Sequence, residues 1–318
     1  MGRYIIRRIL INVPVLLGIT FMIFTFIELA PGDPLAFWVN PELGQSEAQM
    51  ELLRERFGLD QPFMVRYLRW LGQALQGNLG FRFKNFESVS ASIAQRIGPT
   101  VLLIGTAMIM GIGLGIPLGI LSALKQYSFI DFALTAFAFL GISLPAFFAG
   151  LGGLYFFALK WDLVPAGGMY TIGAERSVLD TLHHLILPAS LLSLAYLASL
   201  TRYTRSSMLE VMRQEYIQTA RSKGLRERLV IARHAFRNAL IPIVTVIGLS
   251  LPNLIGGAVF IETIFAWPGL GRLYIDGAQS RDYPMVMGMA LITATMVLFA
   301  NLVTDITYAF VDPRIRYE

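Results

Sequence analysis

Three histidines, four lysines and no cysteine are the stock from which this chain could build a metal site, a thiol nucleophile or a phosphate-gripping loop. His183 and His184 are adjacent and His234 stands alone, so the H-E-x-x-H pattern that sets two metal ligands on one helix face is absent. Side-by-side histidines point to different faces of a helix, and this pair reads as packing at the mouth of a span. None of Lys84, Lys125, Lys160 and Lys223 follows a glycine, so there is no G-x-x-x-x-G-K-[ST] loop, which argues against nucleotide hydrolysis by this chain. The lack of cysteine removes disulfides, thiol chemistry and Cys-ligated metals. Glu28, Glu262 and Asp305 fall near the ends of apolar runs, where water or headgroups reach them. A proton or ion relay needs ionisable groups deep in the membrane, and an intramembrane protease needs a buried acidic dyad or a nucleophile with its base. Neither is written here. Any energy for transport must come from elsewhere, or none is used.

The remaining chemistry is that of contact. Between 202 and 237 stand nine arginines and lysines, and within the same stretch Leu209, Met212, Tyr216 and Ala220 recur at helical steps as one apolar stripe. Gly224 offers a stop and a turn, after which a second basic helix leads to Pro242. An amphipathic helix outside an apolar span either lies on lipid or inserts into a groove on a partner protein. With Tyr216 as its one aromatic residue the stripe is poor as a lipid anchor, which favours the partner. The plainer alternative is a loop whose arginines do no more than set topology.

The elements that must hold this loop are apolar. Hydrophobic residues make up 55% of the 318 and charged ones 15%, against roughly 25% charged in a soluble domain. Six runs, about 9–29, 98–124, 132–159, 186–204, 239–265 and 285–311, are long enough to cross a bilayer as helices. The expected class is an all-α polytopic membrane protein with six transmembrane helices. Prolines 14, 117, 145, 188, 242 and 252 lie in or beside these runs and predict kinks. The first run is too long for a signal peptide and reads as a retained span, and Ile6 stands where a myristoylation motif needs Ser or Thr. Fifteen Lys and Arg fall on the side of both termini and the basic loop, against Lys160, Arg176, Arg272 and Arg281 in the short loops opposite. That asymmetry predicts cytoplasmic termini, and explains the net charge of +5 without nucleic acid.

Residues 1–29 are thus an N-terminus and first span, 30–97 an extracytoplasmic segment, and 98–318 a five-helix core with a cytoplasmic loop at about 205–238. The segment 30–97 holds two predicted helices. One has the capping-box spacing Ser46/Gln49, an apolar face of Met50, Leu53 and Phe57, and Gly58 as its stop. The other starts near Pro62, carries Met64, Leu68, Leu71 and Leu75 on one stripe and stops at Gly77. Together they read as a small helical cap. Gly111, Gly115 and Gly119, four residues apart, predict close helix approach, by internal packing rather than a dimer seam.

The loop string "QTARSKGL", 218–225, resembles the docking loop of ABC-importer permeases, a Glu-Ala-Ala-x-x-x-Gly pattern matched here at Gln218, Thr219, Ala220 and Gly224. Gln218 and Thr219 depart from the general pattern and resemble the form of the peptide and nickel branch, while "LIP" at 240–242 lies further on than the general spacing. "APGDP" after the first run, "GNLG" at 77–80, "TRSSMLEVM", "ETIFAWPGLGRL" at 262–273, "RDYP" at 281–284 and "DPRIRY" at the tail resemble, in this order, the first permease subunit of dipeptide and oligopeptide importers. The resemblance implies a type I importer permease fold, a second homologous permease beside this one, two ABC ATPases below that bind ATP and magnesium, and an extracytoplasmic binding protein that delivers peptide. This chain itself would hold no cofactor or metal and catalyse nothing. The resemblance also implies that Leu209, Met212, Glu215, Tyr216, Gln218, Thr219, Ala220, Arg221 and Gly224 form the ATPase-coupling loop, a 206–224 lever in which Ala220 and Gly224 are small so that a partner surface can come close. Pro145, Gly248 and Pro252 are candidate hinges or kinks. Trp267, Pro268 and Gly269, in a re-entrant turn, and Arg281 and Asp282 are candidate contacts at the outer mouth. A nickel or other small-solute importer of the same class, or an ATP-independent channel or secondary transporter, remains the alternative.

Overall fold

The computed structural model describes residues 2–29, 51, 55 and 60–311. Residues 51 and 55 apart, the helix expected between Ser46 and Gly58 lies outside the described residues, as do the "APGDP" and "DPRIRY" strings. Among those described, helices dominate, and one isolated bridge pairs Phe81 with Ser88. Four helices are long and apolar enough to cross a membrane: Ile6–Leu29, Val89–Leu124, Val178–Met212 and Tyr283–Ile306. Two bent pairs, Phe129–Ser143 with Ala146–Lys160 and Glu227–Leu240 with Pro242–Leu249, bring the number among the described residues to six when each pair is counted as one span.

In chain order these are α1 (Gly2–Leu29), α2 (Phe63–Leu75), α3 (Val89–Leu124), α4 (Phe129–Ser143), α5 (Ala146–Gly153, widening into a π-helix at Leu154–Lys160), α6 (Val178–Met212), α7 (Glu215–Ser222), α8 (Arg237–Ile264), α9 (Leu270–Gln279) and α10 (Tyr283–Val311). A second π-helical stretch, Val230–Phe236, leads into α8.

The third run is no straight span. Pro145 cannot donate a backbone hydrogen bond, and its ring pushes Leu144 out of the helical region to φ −80°, ψ 117°. The chain therefore turns by 105° between α4 and α5. Pro145 separates two helices where a kink within one was expected.

The central core joins α3, α6 and α8 through Leu103, Ala107, Leu185, Leu192, Tyr196, Leu200, Ile243 and Ile261. The glycine ladder makes the closest seam. A Cβ on Gly115 would lie 2.9 Å from the Leu197 carbonyl oxygen, one on Gly119 would lie 2.5 Å from the Thr204 Cβ, and one on Gly111 would overlap the Tyr196 ring. Internal packing is thus what the four-residue glycine spacing serves.

α2 begins at Pro62 and ends before Gly77, which takes the left-handed φ of +79°. Its expected apolar stripe, however, is turned outward, with Met64, Leu68 and Leu75 exposed. Tyr67 is the buried residue, and its hydroxyl donates to the Leu17 carbonyl at 3.2 Å and meets the Thr20 hydroxyl at 3.1 Å. Phe21 and Phe24 pack edge-on against Phe63 and Tyr67. α2 is held along the flank of α1 by aromatic residues and does not sit as a cap on aliphatic ones.

Candidate functional site

The 206–224 stretch, expected as one lever, is the end of α6 followed by a separate helix, α7. α6 ends at Met212, and the amides of Arg213 and Gln214 bond back to the Glu210 and Val211 carbonyls in a tight turn. Gln214 is extended at ψ 145°, and α7 starts at Glu215. Leu209 and Met212 therefore belong to the end of α6, and the predicted stripe is interrupted before Tyr216, which is exposed. The buried residues of α7 are Ile217 and Ala220. They rest on Ala123 of α3, Met208 of α6 and Val230, Ala235 and Ala239 leading into α8, a small core flanked by Leu209 and Met212. Ala220 is small for its own bundle, and the expectation that it meets a partner is corrected here. Ile217 is the anchor the stripe missed; its place is set by the break at Gln214.

The end of α7 follows the Schellman pattern. Gly224 donates to the Arg221 carbonyl at 2.9 Å and Leu225 to the Ala220 carbonyl at 3.4 Å. Gly224 takes φ +73° with nothing within 4 Å of a Cβ built on it, so glycine is required by backbone conformation alone. Across this turn Arg221 grips Glu227 with two bonds, of 2.6 and 3.2 Å. The guanidinium holds the Glu227 carboxyl below the usual carboxylate range. Glu215, Tyr216, Gln218, Thr219 and Arg221 remain exposed, a polar helix face that extends past the apolar bundle.

At the opposite end the charges are inside. Glu262 is fully buried, contrary to the expectation that water reaches it. It accepts from the Thr100 hydroxyl at 2.6 Å and from the amides of Gly271 at 2.6 Å and Arg272 at 3.2 Å, the first turn of α9. A carboxylate there satisfies amides that the helix leaves unpaired and complements its dipole. The Leu270 amide donates to Thr100 at 2.8 Å and completes the cap. A Cβ on Gly269 would overlap the Glu262 carboxylate, so this position has to be glycine. Trp267 is fully buried and its indole donates to the Pro99 carbonyl at 2.9 Å. Pro268 is half-buried beside it. The 265–269 turn is therefore a joint wedged between α3 and α9, and Trp267 and Gly269 are not surface contacts.

Asp282 is buried as well. It accepts from Arg82 Nε at 3.0 Å and from the Phe83 amide at 2.9 Å. Arg82 also reaches Asp276 at 2.8 Å, which Lys84 meets at 2.7 Å. Burial pushes the Asp276 carboxyl up, but its bonds to Lys84 and Arg82 outweigh that and hold it below the usual range. The expected surface role of Asp282 gives way to a clasp between the 80–84 segment and the α9–α10 link. Arg281, next to Asp282, is exposed, at a left-handed φ of +48°. No local pattern announces the clasp, because Arg82 and Asp282 are 200 residues apart in the chain.

The other end acids are paired, Glu28 with Arg66 at 2.8 Å and Asp305 with Arg8 at 3.2 Å. Gly248 faces Thr304, which a Cβ there would overlap, so it marks close approach of α8 and α10. Pro252 lies within α8, beyond the 47° bend between Leu240 and Pro242.

The chain is a helical bundle that carries a short polar helix on a small separate core at one end. Residues 115–317 match the family model described as binding-protein-dependent transport system inner membrane component, and residues 1–104 match the model of its N-terminal part. The chain belongs to this family of inner-membrane transport components. It is 45% identical to the oligopeptide transport system permease protein AppB of Bacillus subtilis, over the full length of both. It is 38% identical to the dipeptide transport system permease protein DppB of Escherichia coli, again over all of both chains. The fold matches a chain of the inward-facing MetNI methionine ABC transporter with a TM-score of 0.55 at 15% identity, covering 70% of this chain and 96% of that one.

Proposed function

We propose that this chain is a permease subunit of an ATP-driven importer of short peptides, lining the pathway together with a second, homologous permease. Its basic loop and both termini face the cytoplasm, where two ATPase subunits dock. An extracytoplasmic binding protein brings the peptide to the opposite face. Full-length similarity to proteins named as oligopeptide and dipeptide permeases supports the substrate class. The observation that carries the docking role is α7 itself. Its apolar side is used up on the chain's own small core, while Glu215, Tyr216, Gln218 and Thr219 stand exposed past the end of the bundle. A complementary polar surface on a partner can accept this face, and rigid-body movement of that surface would then move the bundle between inward- and outward-open states. The chain supplies no catalytic group; ATP and magnesium belong to the partners.

The test uses the complete complex in liposomes with its binding protein. Thr219→Trp, on the exposed face of α7, is expected to release the ATPase subunits while the two permeases stay together, and ATP-dependent uptake of a labelled dipeptide is expected to vanish. Uptake by the permease alone without ATP would overturn the reading in favour of a channel. ATP-driven uptake of Ni²⁺ with no competition from peptides would keep the class and overturn the substrate.

A further inference from the structure

Deepening the proposed function, on which it rests, we propose that Arg205 is a positioning residue that makes α3, α4 and α6 one moving body, so that displacement of α7 reaches the bent third span. Asp131, in the first turn of α4, is 3% exposed and accepts four hydrogen bonds. They come from the Ser122 hydroxyl of α3 at 2.5 Å, the Tyr127 amide at 3.0 Å, and Nε and Nη2 of Arg205 on α6 at 2.6 and 2.8 Å. A fork of this kind fixes orientation as well as distance, which a single ammonium cannot do. Higher up, a Cβ on Gly141 of α4 would lie 2.9 Å from the Ala198 Cβ of α6, so the two helices are seamed at two levels. α3 is closed on α6 by the glycine ladder. α7 stands on Ala123 and Met208, which belong to α3 and α6. A push on α7 is thus delivered to the body that holds Asp131, and α4 carries it to the 105° turn at Pro145.

The pair could equally be present only because the buried Asp131 does not tolerate burial without a partner, and the experiment separates the two roles. Peptide uptake per ATP hydrolysed is measured in the liposome system for Arg205→Met, for Asp131→Asn combined with Arg205→Met, and for Arg205→Lys. The double variant leaves no buried charge unpaired, so its melting temperature is expected to match wild type while ATP hydrolysis continues. Its uptake per ATP is expected to fall about tenfold, within the range by which residues between two sites alter coupling. Arg205→Lys keeps the charge without the fork, and is expected to lose about two- to threefold of the same ratio. A double variant with the wild-type ratio would overturn the proposal and leave the pair a stability feature. So would uptake and hydrolysis falling in equal proportion, which marks a docking defect. If the double variant does not assemble, the same ratio in Arg205→Lys decides. Failure of the underlying reading is distinct, because it appears in wild type as uptake without ATP.

Discussion

At the far end of the bundle Glu262, Asp282 and Arg82 are buried and bonded wholly within the chain, whereas at the loop end Glu215, Arg221 and Glu227 stand in solvent around a core built from alanine, valine, methionine and Ile217. The far end joins segments remote in sequence, and breaking a joint there leaves a charge without a partner in a dry site. The loop end is thin and replaceable as a fold, but its polar face is what a partner can read. The contrast teaches that cost to stability and cost to function need not fall in the same place. Substitutions at the far end should appear first in folding and those on α7 first in coupling.

The sharpest way to break this comparison is at Asp282. Arg82→Ala strands a buried carboxylate, a loss of about 3–5 kcal/mol, and is expected to lower the melting temperature of the purified chain more than any substitution on the exposed face of α7. Combining it with Asp282→Asn should return much of the loss; if Arg82→Ala melts like wild type, the clasp is not a fold element. Glu262→Ala, which orphans two amides of α9, is expected to cost about 2–4 kcal/mol and to increase proteolysis near 265–272. Gly224→Ala is smaller. A β-carbon at φ +73° costs about 1–2 kcal/mol, confined to the loop, so limited proteolysis between 213 and 230 should quicken while the melting temperature of the bundle stays put. A matching drop in bundle stability would erase the distinction between the two ends.

Smallest is Glu227→Gln, which removes an exposed pair worth under about 1 kcal/mol. The sign of its pH dependence follows from the depressed Glu227 carboxyl. The contribution is complete above the ordinary glutamate range and fades as pH falls through the lowered value. Protection of the 221–227 turn against hydrogen exchange should therefore weaken on acidification in wild type and not in Glu227→Gln. Equal acid sensitivity in both would assign the effect elsewhere.

Much of the fold was legible because a bilayer leaves a chain few choices. Runs of about 20 apolar residues must become helices, and Pro62, Gly77 and Gly224 bound the short helices α2 and α7 where local conformation alone decides. Side-chain direction was legible less often. Leu209 and Met212 share a predicted stripe with Tyr216 and Ala220, yet the break at Gln214 puts the first two on α6 and the last two on α7, where Ala220 is buried and Tyr216 exposed. The α2 stripe failed for a related reason, since both an aliphatic and an aromatic face were written in it and only α1 selects between them.

The sequence by itself determined where apolar length begins and ends, on which side positive charge collects, and which glycine must close α7, because these follow from local chemistry and from the membrane as solvent. Only the tertiary structure decided that Glu262 caps α9, that Asp282 belongs to Arg82, that Arg205 holds Asp131, and that the third run turns through 105° at Pro145. A buried charge has to be paired, but its partner is chosen by which helix ends meet in space, and spacing along the chain does not encode that.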